Sequence, residues 1–307
     1  MSKTKKHQHY VPRMYYSNFY ANENNEKTHS VSGCLTCYRA NSKTIFNGKA
    51  NSIASKKFLY EYDTKNKTNE IENRFDDNVE TPLAPILRQI IKKCYMGCGK
   101  VLLTNDELST IHKFMAIQLF RMPEVFPSMT LLIKKLIFEQ KNIEVPDTEE
   151  VNSALTGLFL QNISEPNSDF IKNGENMFFE NYYTVFLKAK DFHFFTSECP
   201  VMLTTIDETL IDKTFVDYDI HMPLNKDFCV VLFPKKTTRE IENGIIIEID
   251  SDAVDDLILA LLSASDIVVS DGISNEMIKK IDEIYPRALE NRNKVIKQQK
   301  IAKKNLL

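Results

Sequence analysis

Tyr182-Tyr183-Thr184-Val185-Phe186-Leu187-Lys188-Ala189, then Lys190-Asp191, then Phe192-His193-Phe194-Phe195-Thr196, is where the chain changes character. Aromatic and β-branched residues crowd both runs and turn-forming residues lie between them, which predicts two strands joined as a hairpin. Segments 201–205, 228–233 and 245–249 have the same composition and extend the prediction to an antiparallel sheet.

Upstream, the periodicity is helical. Residues 70–79 predict a helix, and Thr81-Pro82 offers an N-cap and a first-turn proline for a second one reaching about residue 95. Thr104-Asn105-Asp106-Glu107 is a capping box opening a helix to about residue 122, with Leu108, Ile111, Met115, Leu119 and Met122 at helical spacing. Pro123 and Pro127 break it, and helices follow at 129–140 and 148–163. Beyond the strands, 252–263 is helical, and a long basic helix runs from 274 onward, kinked or interrupted at Pro286. The first sixty residues are irregular, with short strands at 34–39, 44–46 and 58–62. Helices followed by strands define α+β: a central helical block packed against an antiparallel sheet formed largely by the C-terminal half. No repeat or low-complexity linker divides the 307 residues, so one domain is expected, helix-rich over 68–164 and strand-rich over 176–272, with the basic helix at 274–305.

A hydrophobic share of 43% and a charged share of 26% are globular values and exclude a disordered chain. No run approaches the roughly 20 apolar residues of a membrane helix, and the polar start lacks a signal-peptide core, so the expectation is a cytoplasmic protein with no membrane partner. Many Lys, Asn and Ile with no Trp suit an AT-rich bacterial genome. The net charge of −3 excludes a general electrostatic nucleic-acid trap, although 291–307 holds six basic residues and no acid. Cys34-x-x-Cys37 and Cys94-x-x-x-Cys98 have thiolate spacing, but 34–39 reads as a strand, which puts residues three apart on opposite faces; reduced thiols are the expectation.

The opening His9-Tyr10-Val11-Pro12-Arg13-Met14-Tyr15-Tyr16-Ser17-Asn18-Phe19 resembles the start of the bacterial domain of unknown function 4238 family, whose members begin His-His-Tyr-Val-Pro-Arg. Three further stretches are similar to family strings in order and spacing: Ile71-Glu72 through Glu80, Arg121-Met122-Pro123, and Thr196-Ser197-Glu198-Cys199-Pro200-Val201. Pro223-Leu224-Asn225 matches a fourth in part, and the likeness runs from about residue 7 to about 270. Glu198 replaces the family's usual Asp, and Gln8 separates His7 from His9. The resemblance implies a shared architecture and names no reaction.

Among residues able to carry chemistry, His7 and His9 stand two apart on an extended segment and so face one side, where both imidazoles could meet a metal ion or phosphate. Pro12 stiffens the segment, and Arg13 offers a fork for phosphate or carboxylate. Glu72, Asp76 and Glu80 at i, i+4, i+8 share a helix edge; they form either a solvated acidic face or a cation site, with Glu80 favoured at the helix junction. Gln118 and Arg121 interrupt an apolar stripe, and a buried Arg121 requires a carboxylate, from Glu80 or Glu198. In the loop, Ser197 lacks a nucleophile elbow, and Glu198 is the stronger candidate. The catalytic set is therefore His9, Glu80, Arg121 and Glu198, with His7, His9, Glu80 and Glu198 as metal ligands and Tyr10, Arg13, Gln118 and Ser197 on the substrate. Mixed His and carboxylate ligands suit a divalent metal that activates water, and the arginines suit a phosphodiester. This points to a metal-dependent hydrolase, nuclease-like, with a toxin or phage-defence role. The alternative is a non-catalytic module binding a nucleotide, RNA or protein, with the same cluster serving structure. No Walker or dinucleotide motif is present.

Overall fold

The computed structural model describes residues 7–57, 59–60, 69–204, 217–236 and 241–305. The chain begins with β1 (His7–His9) and the short helix α1 (Arg13–Tyr16), then the hairpin of β2 (Leu35–Arg39) and β3 (Thr44–Gly48). β4 (Ser55–Lys57) returns antiparallel to β1. The strand expected at 58–62 is thus displaced to 55–57; residues 58, 61 and 62 lie outside the described residues.

The helical block follows. α2 (Glu70–Phe75) passes through a π-helical turn, Asp76–Glu80, directly into α3 (Thr81–Met96). Thr81 has helical dihedrals, φ −63° and ψ −47°, so the N-cap expected there is absent and the two predicted helices are one. Pro82 and Pro85 lack N–H groups, and a proline ring crowds the carbonyl four residues back; the wide turn just before them relieves that crowding. α4 (Asn105–Phe120) starts at the expected capping box, with the Glu107 amide donating to Thr104 Oγ1 at 3.2 Å and the Thr104 amide to Glu107 Oε2 at 2.8 Å. α5 (Phe126–Lys141) and α6 (Glu149–Ile163) follow, the latter capped by Thr148. α7 (Asp169–Asn181), capped by Ser168, is a helix that the strand-rich reading of this region passed over.

α7 runs straight into β5 (Tyr182–Ala189), followed by β6 (Thr196–Ser197), β7 (Met202–Thr204), β8 (Asp219–Pro223), β9 (Phe228–Pro234) and β10 (Ile246–Ile249). Then come α8 (Asp255–Ala264), β11 (Ile267–Ser270) and α9 (Asn275–Asn305), which continues through Pro286 without interruption. Besides the two-stranded β1–β4 pair, two larger sheets form among the described residues where one was expected. The first has the order β10-β5-β9-β8-β7, antiparallel except for the parallel pair β10–β5. The second, β3-β2-β11-β6, takes half its strands from the N-terminal region. No hairpin forms at Lys190-Asp191, since β5 pairs with β9 and β10, while Phe192, Phe194 and Phe195 leave the sheet to fill a core.

Side-chain alternation along the strands divides the interior. Phe186, Val230, Leu232 and Ile220 face a core built by α1 to α7 around Tyr15, Phe75, Phe114 and Phe178. Leu187, Cys229 and Val231 face a second core with Ile258, Leu262 and Ile281 of α8 and α9. The smaller sheet divides likewise, Cys37 and Val269 to the first core, Tyr38 and Val268 to the second. No helix among the described residues is long and apolar enough to cross a membrane.

Candidate functional site

The N-terminal arm is positioned by its own polar groups. Alternation in β1 leaves His7 exposed and turns Gln8 inward, where its Oε1 accepts the Tyr60 amide at 2.7 Å. After Pro12, the aromatic residues of α1 bind the arm to the sheets: the Tyr15 hydroxyl donates to the Pro223 carbonyl at 2.7 Å and lies 2.9 Å from Thr196 Oγ1. The Tyr16 hydroxyl donates to the Ser197 carbonyl at 3.0 Å.

Arg121, the C-cap of α4, is fully buried and forms the centre of a network. Its Nη1 donates to Glu80 Oε1 at 2.8 Å, its Nη2 to the His9 carbonyl at 2.7 Å, and its Nε to the Tyr60 hydroxyl at 2.8 Å. The guanidinium lies 3.9 Å from the centroid of the Phe75 ring, within cation–π range. Tyr60 in turn donates to the His9 carbonyl at 2.8 Å. Of the two carboxylates open to Arg121, the structure therefore selects Glu80. Burial alone would lower the guanidinium pKa, but Tyr60, Glu80 and Glu72 outweigh it and hold it above its ordinary value. Burial dominates at Glu80, leaving its pKa raised despite Arg121. The π turn breaks the expected i, i+4, i+8 edge, because its wider pitch rotates Glu80 relative to Glu72. Glu72 meets His9 instead, its Oε1 lying 3.6 Å from Nδ1 and 3.4 Å from the backbone amide. His9 Nε2, Glu72 Oε2 and both amide atoms of Gln118 are buried with no hydrogen-bond partner among the described residues.

Tyr10, next in the arm, points elsewhere. Its hydroxyl donates to Glu198 Oε1 at 3.0 Å, across a cleft of about 340 Å³. Arg39, Asn41, Met122, Glu124, Cys199, Ser265, Asp266, Ile267 and Arg292 complete the lining with Ala264. Burial and then Glu198 push the Tyr10 hydroxyl well up, so it stays a proton donor. Burial, then Glu124 and Glu198, push the Cys199 thiol up as well, which makes it a poor nucleophile. Ser197 lies behind the wall, its Oγ donating to the Cys199 carbonyl at 3.0 Å and accepting the Cys199 amide at 2.9 Å. Arg13 is exposed.

The proposed ligand set thus falls into separate places. His7 faces solvent, His9 meets Glu72, Glu80 serves Arg121, and Glu198 serves Tyr10. Among the described residues, no group of three His, Cys, Asp or Glu side chains is disposed to hold a metal ion. A divalent metal does not fit this arrangement. Arg39, Asp266 and Arg292 have no motif around them in the sequence; β11 pairs with β2 on one side and β6 on the other, which brings Arg39 and Asp266 towards Glu198, and Arg292 of α9 joins through its ion pair with Asp266.

Residues 7–270 match the family described as a protein of unknown function, DUF4238. The chain belongs to that family. No curated protein and no solved structure matches it significantly.

Proposed function

We propose that this protein is a binding module that takes a small polar ligand in the Tyr10–Glu198 cleft, with the Arg121 network holding the arm that forms one wall. One observation carries this reading: the cleft keeps an exposed Arg39 and a carboxylate, Glu198, that no cation neutralises among the described residues. Its volume falls within the range of small-molecule sites. Metal-assisted phosphodiester hydrolysis is the lesser reading, because it needs the carboxylates on one ion while each is held by a different partner.

A panel of metabolites screened by thermal shift and ligand-observed NMR tests the proposal, using wild type and Ala264→Trp, which fills the exposed mouth. Hits are expected on wild type and lost in the variant. A panel without hits, or hits that persist in Ala264→Trp, would overturn the reading. Metal-dependent turnover of RNA or DNA that disappears in Glu198→Gln would replace it with hydrolysis.

A further inference from the structure

Most charges around the cleft cancel. Arg292 donates to Asp266 Oδ1 at 2.7 Å, and its Nε caps α8 through the Ser263 carbonyl at 3.3 Å. Asp266 also receives the Tyr285 hydroxyl at 2.9 Å and the Asn41 amide at 3.2 Å, and Lys56 reaches Glu124 at 3.0 Å. Two groups remain. Arg39 forms no ion pair among the described residues and rests 5.4 Å over the Phe46 ring. Among the described residues Glu198 accepts only hydroxyls, from Tyr10 at 3.0 Å and Ser265 at 3.5 Å.

The sheet fixes how far apart these two stand. Arg39 is opposite Ile267 across β2–β11, and Val268 is opposite Ser197 across β11–β6. Carrying the antiparallel register one residue further puts Glu198 opposite Ile267. Arg39, Ile267 and Glu198 therefore form one row on one face, with two strand spacings, about 10 Å, between the outer backbones. Cys37 lies on the same face; burial and then Glu198 push its thiol up to about 12 while Arg39 pulls the other way, so both charges act from that side.

A ligand matching this row needs an anionic end, a donor end and a body long enough to separate them. An α-amino acid's backbone groups fail, since the ammonium and the carboxylate share one carbon. Each Glu198 oxygen keeps a further lone pair, which suits two parallel N–H donors. Guanine offers that pair at N1 and N2, Met122 and Ile267 supply apolar lining for a planar base, and the Arg39 fork suits phosphate. We propose that the cleft binds a free guanine nucleoside monophosphate, with the base edge on Glu198 and the phosphate on Arg39. This rests on the binding reading above.

Calorimetry at low salt tests the proposal with GMP, AMP, guanosine and a guanine-ended RNA hexamer, on wild type, Arg39→Ala and Glu198→Gln. GMP is expected to bind about 10-fold or more tighter than either AMP or guanosine. Arg39→Ala should bring GMP down to the guanosine level without changing guanosine. Glu198→Gln, whose amide oxygen can still accept from Tyr10, should erase the preference for GMP over AMP. Equal binding of GMP and AMP, equal binding of GMP and guanosine, or unchanged GMP binding in Arg39→Ala would overturn the assignment. So would a tighter grip on the hexamer than on GMP. If no nucleotide binds while Ala264→Trp blocks some other ligand, this inference falls and the binding reading stands; if nothing binds, both fall.

Discussion

At the scale of single residues, Arg121 carries the largest concentrated energy. Removing it strands the Glu80 carboxylate and leaves the Tyr60 hydroxyl and the His9 carbonyl bonded only to each other in a buried setting. Arg121→Ala is expected to cost about 3–5 kcal/mol in urea denaturation, and Arg121→Met combined with Glu80→Leu should recover part of that because no lone charge is left. A single-variant cost under about 1 kcal/mol would mean that the network does not hold the arm. Buried titrating groups set the acid response. Burial lowers His112 from 6.5 to about 4 and His221 to about 3, so both stay neutral in the fold and charge when it opens. The unfolded chain then binds two more protons between about pH 4 and 6.5, and stability rises with pH there. Asp219, raised by burial from 3.8 to about 6, works against this: the fold keeps its proton where the unfolded chain has lost it, so stability falls between about pH 4 and 6. Glu80, raised by burial as well, acts in the same direction as Asp219, so two carboxyls oppose the two imidazoles. His221→Gln should lower the slope of stability against pH by about one proton in denaturation series from pH 4.5 to 7; an unchanged slope would count against a neutral buried imidazole. That Arg121 needs an acid was legible, because a guanidinium on an apolar stripe must be compensated. Which acid it takes was not, because the answer depends on a π turn that periodicity does not reveal.

At the scale of elements, α4 rests on its capping box, and Thr104→Ala is expected to lower stability by about 1 kcal/mol, read as a shift in urea midpoint at unchanged slope. Gly244 is a stricter position. Its φ is +86°, and a Cβ there would lie 2.1 Å from the Val101 carbonyl oxygen. Its amide donates to the Thr184 carbonyl at 2.8 Å while its own carbonyl accepts from Val101 at 2.7 Å, fixing the approach to β10. Gly244→Ala should cost about 1–3 kcal/mol and loosen amide protection on β10 in hydrogen exchange; protection at the native level would contradict that role. Elements with their own local signal were legible: α4 and α6 by their threonine caps, β5 by its aromatic and β-branched residues and β9 by an unbroken apolar run. Others carried a misleading one. Phe192, Phe194 and Phe195 have strand composition but serve as core filling, and α7 includes Gly174 with Asn173 and Asn176, which weaken helix propensity. β8 has no apolar run to announce it, because Asp219 and His221 interrupt it and polar residues in a buried strand are rare.

At the scale of the whole molecule, one five-stranded sheet serves two cores, one on each face. Strands shared in this way couple the two halves, so we propose that residues 7–305 act as one domain. Fluorescence and far-UV circular dichroism should then report a single coincident unfolding transition, and two separated transitions would refute it. The sequence announced α+β through its order of helices and strands, but pairings such as β2 with β11 join residues more than two hundred apart and leave no local trace. The same distance shapes how the chain is made. Tyr15 reaches its carbonyl partner on Pro223 across 208 positions, and Tyr16 and Tyr10 reach theirs across 181 and 188. At usual translation rates the arm waits roughly 10–40 s on the ribosome before its partner is synthesised. Through that interval Tyr15 and Tyr16 can meet Phe114 and the other helical core residues but lack their hydrogen-bond partners on the sheets. The arm is therefore completed late, and nascent chains halted before residue 223 should be the ones that chaperones hold.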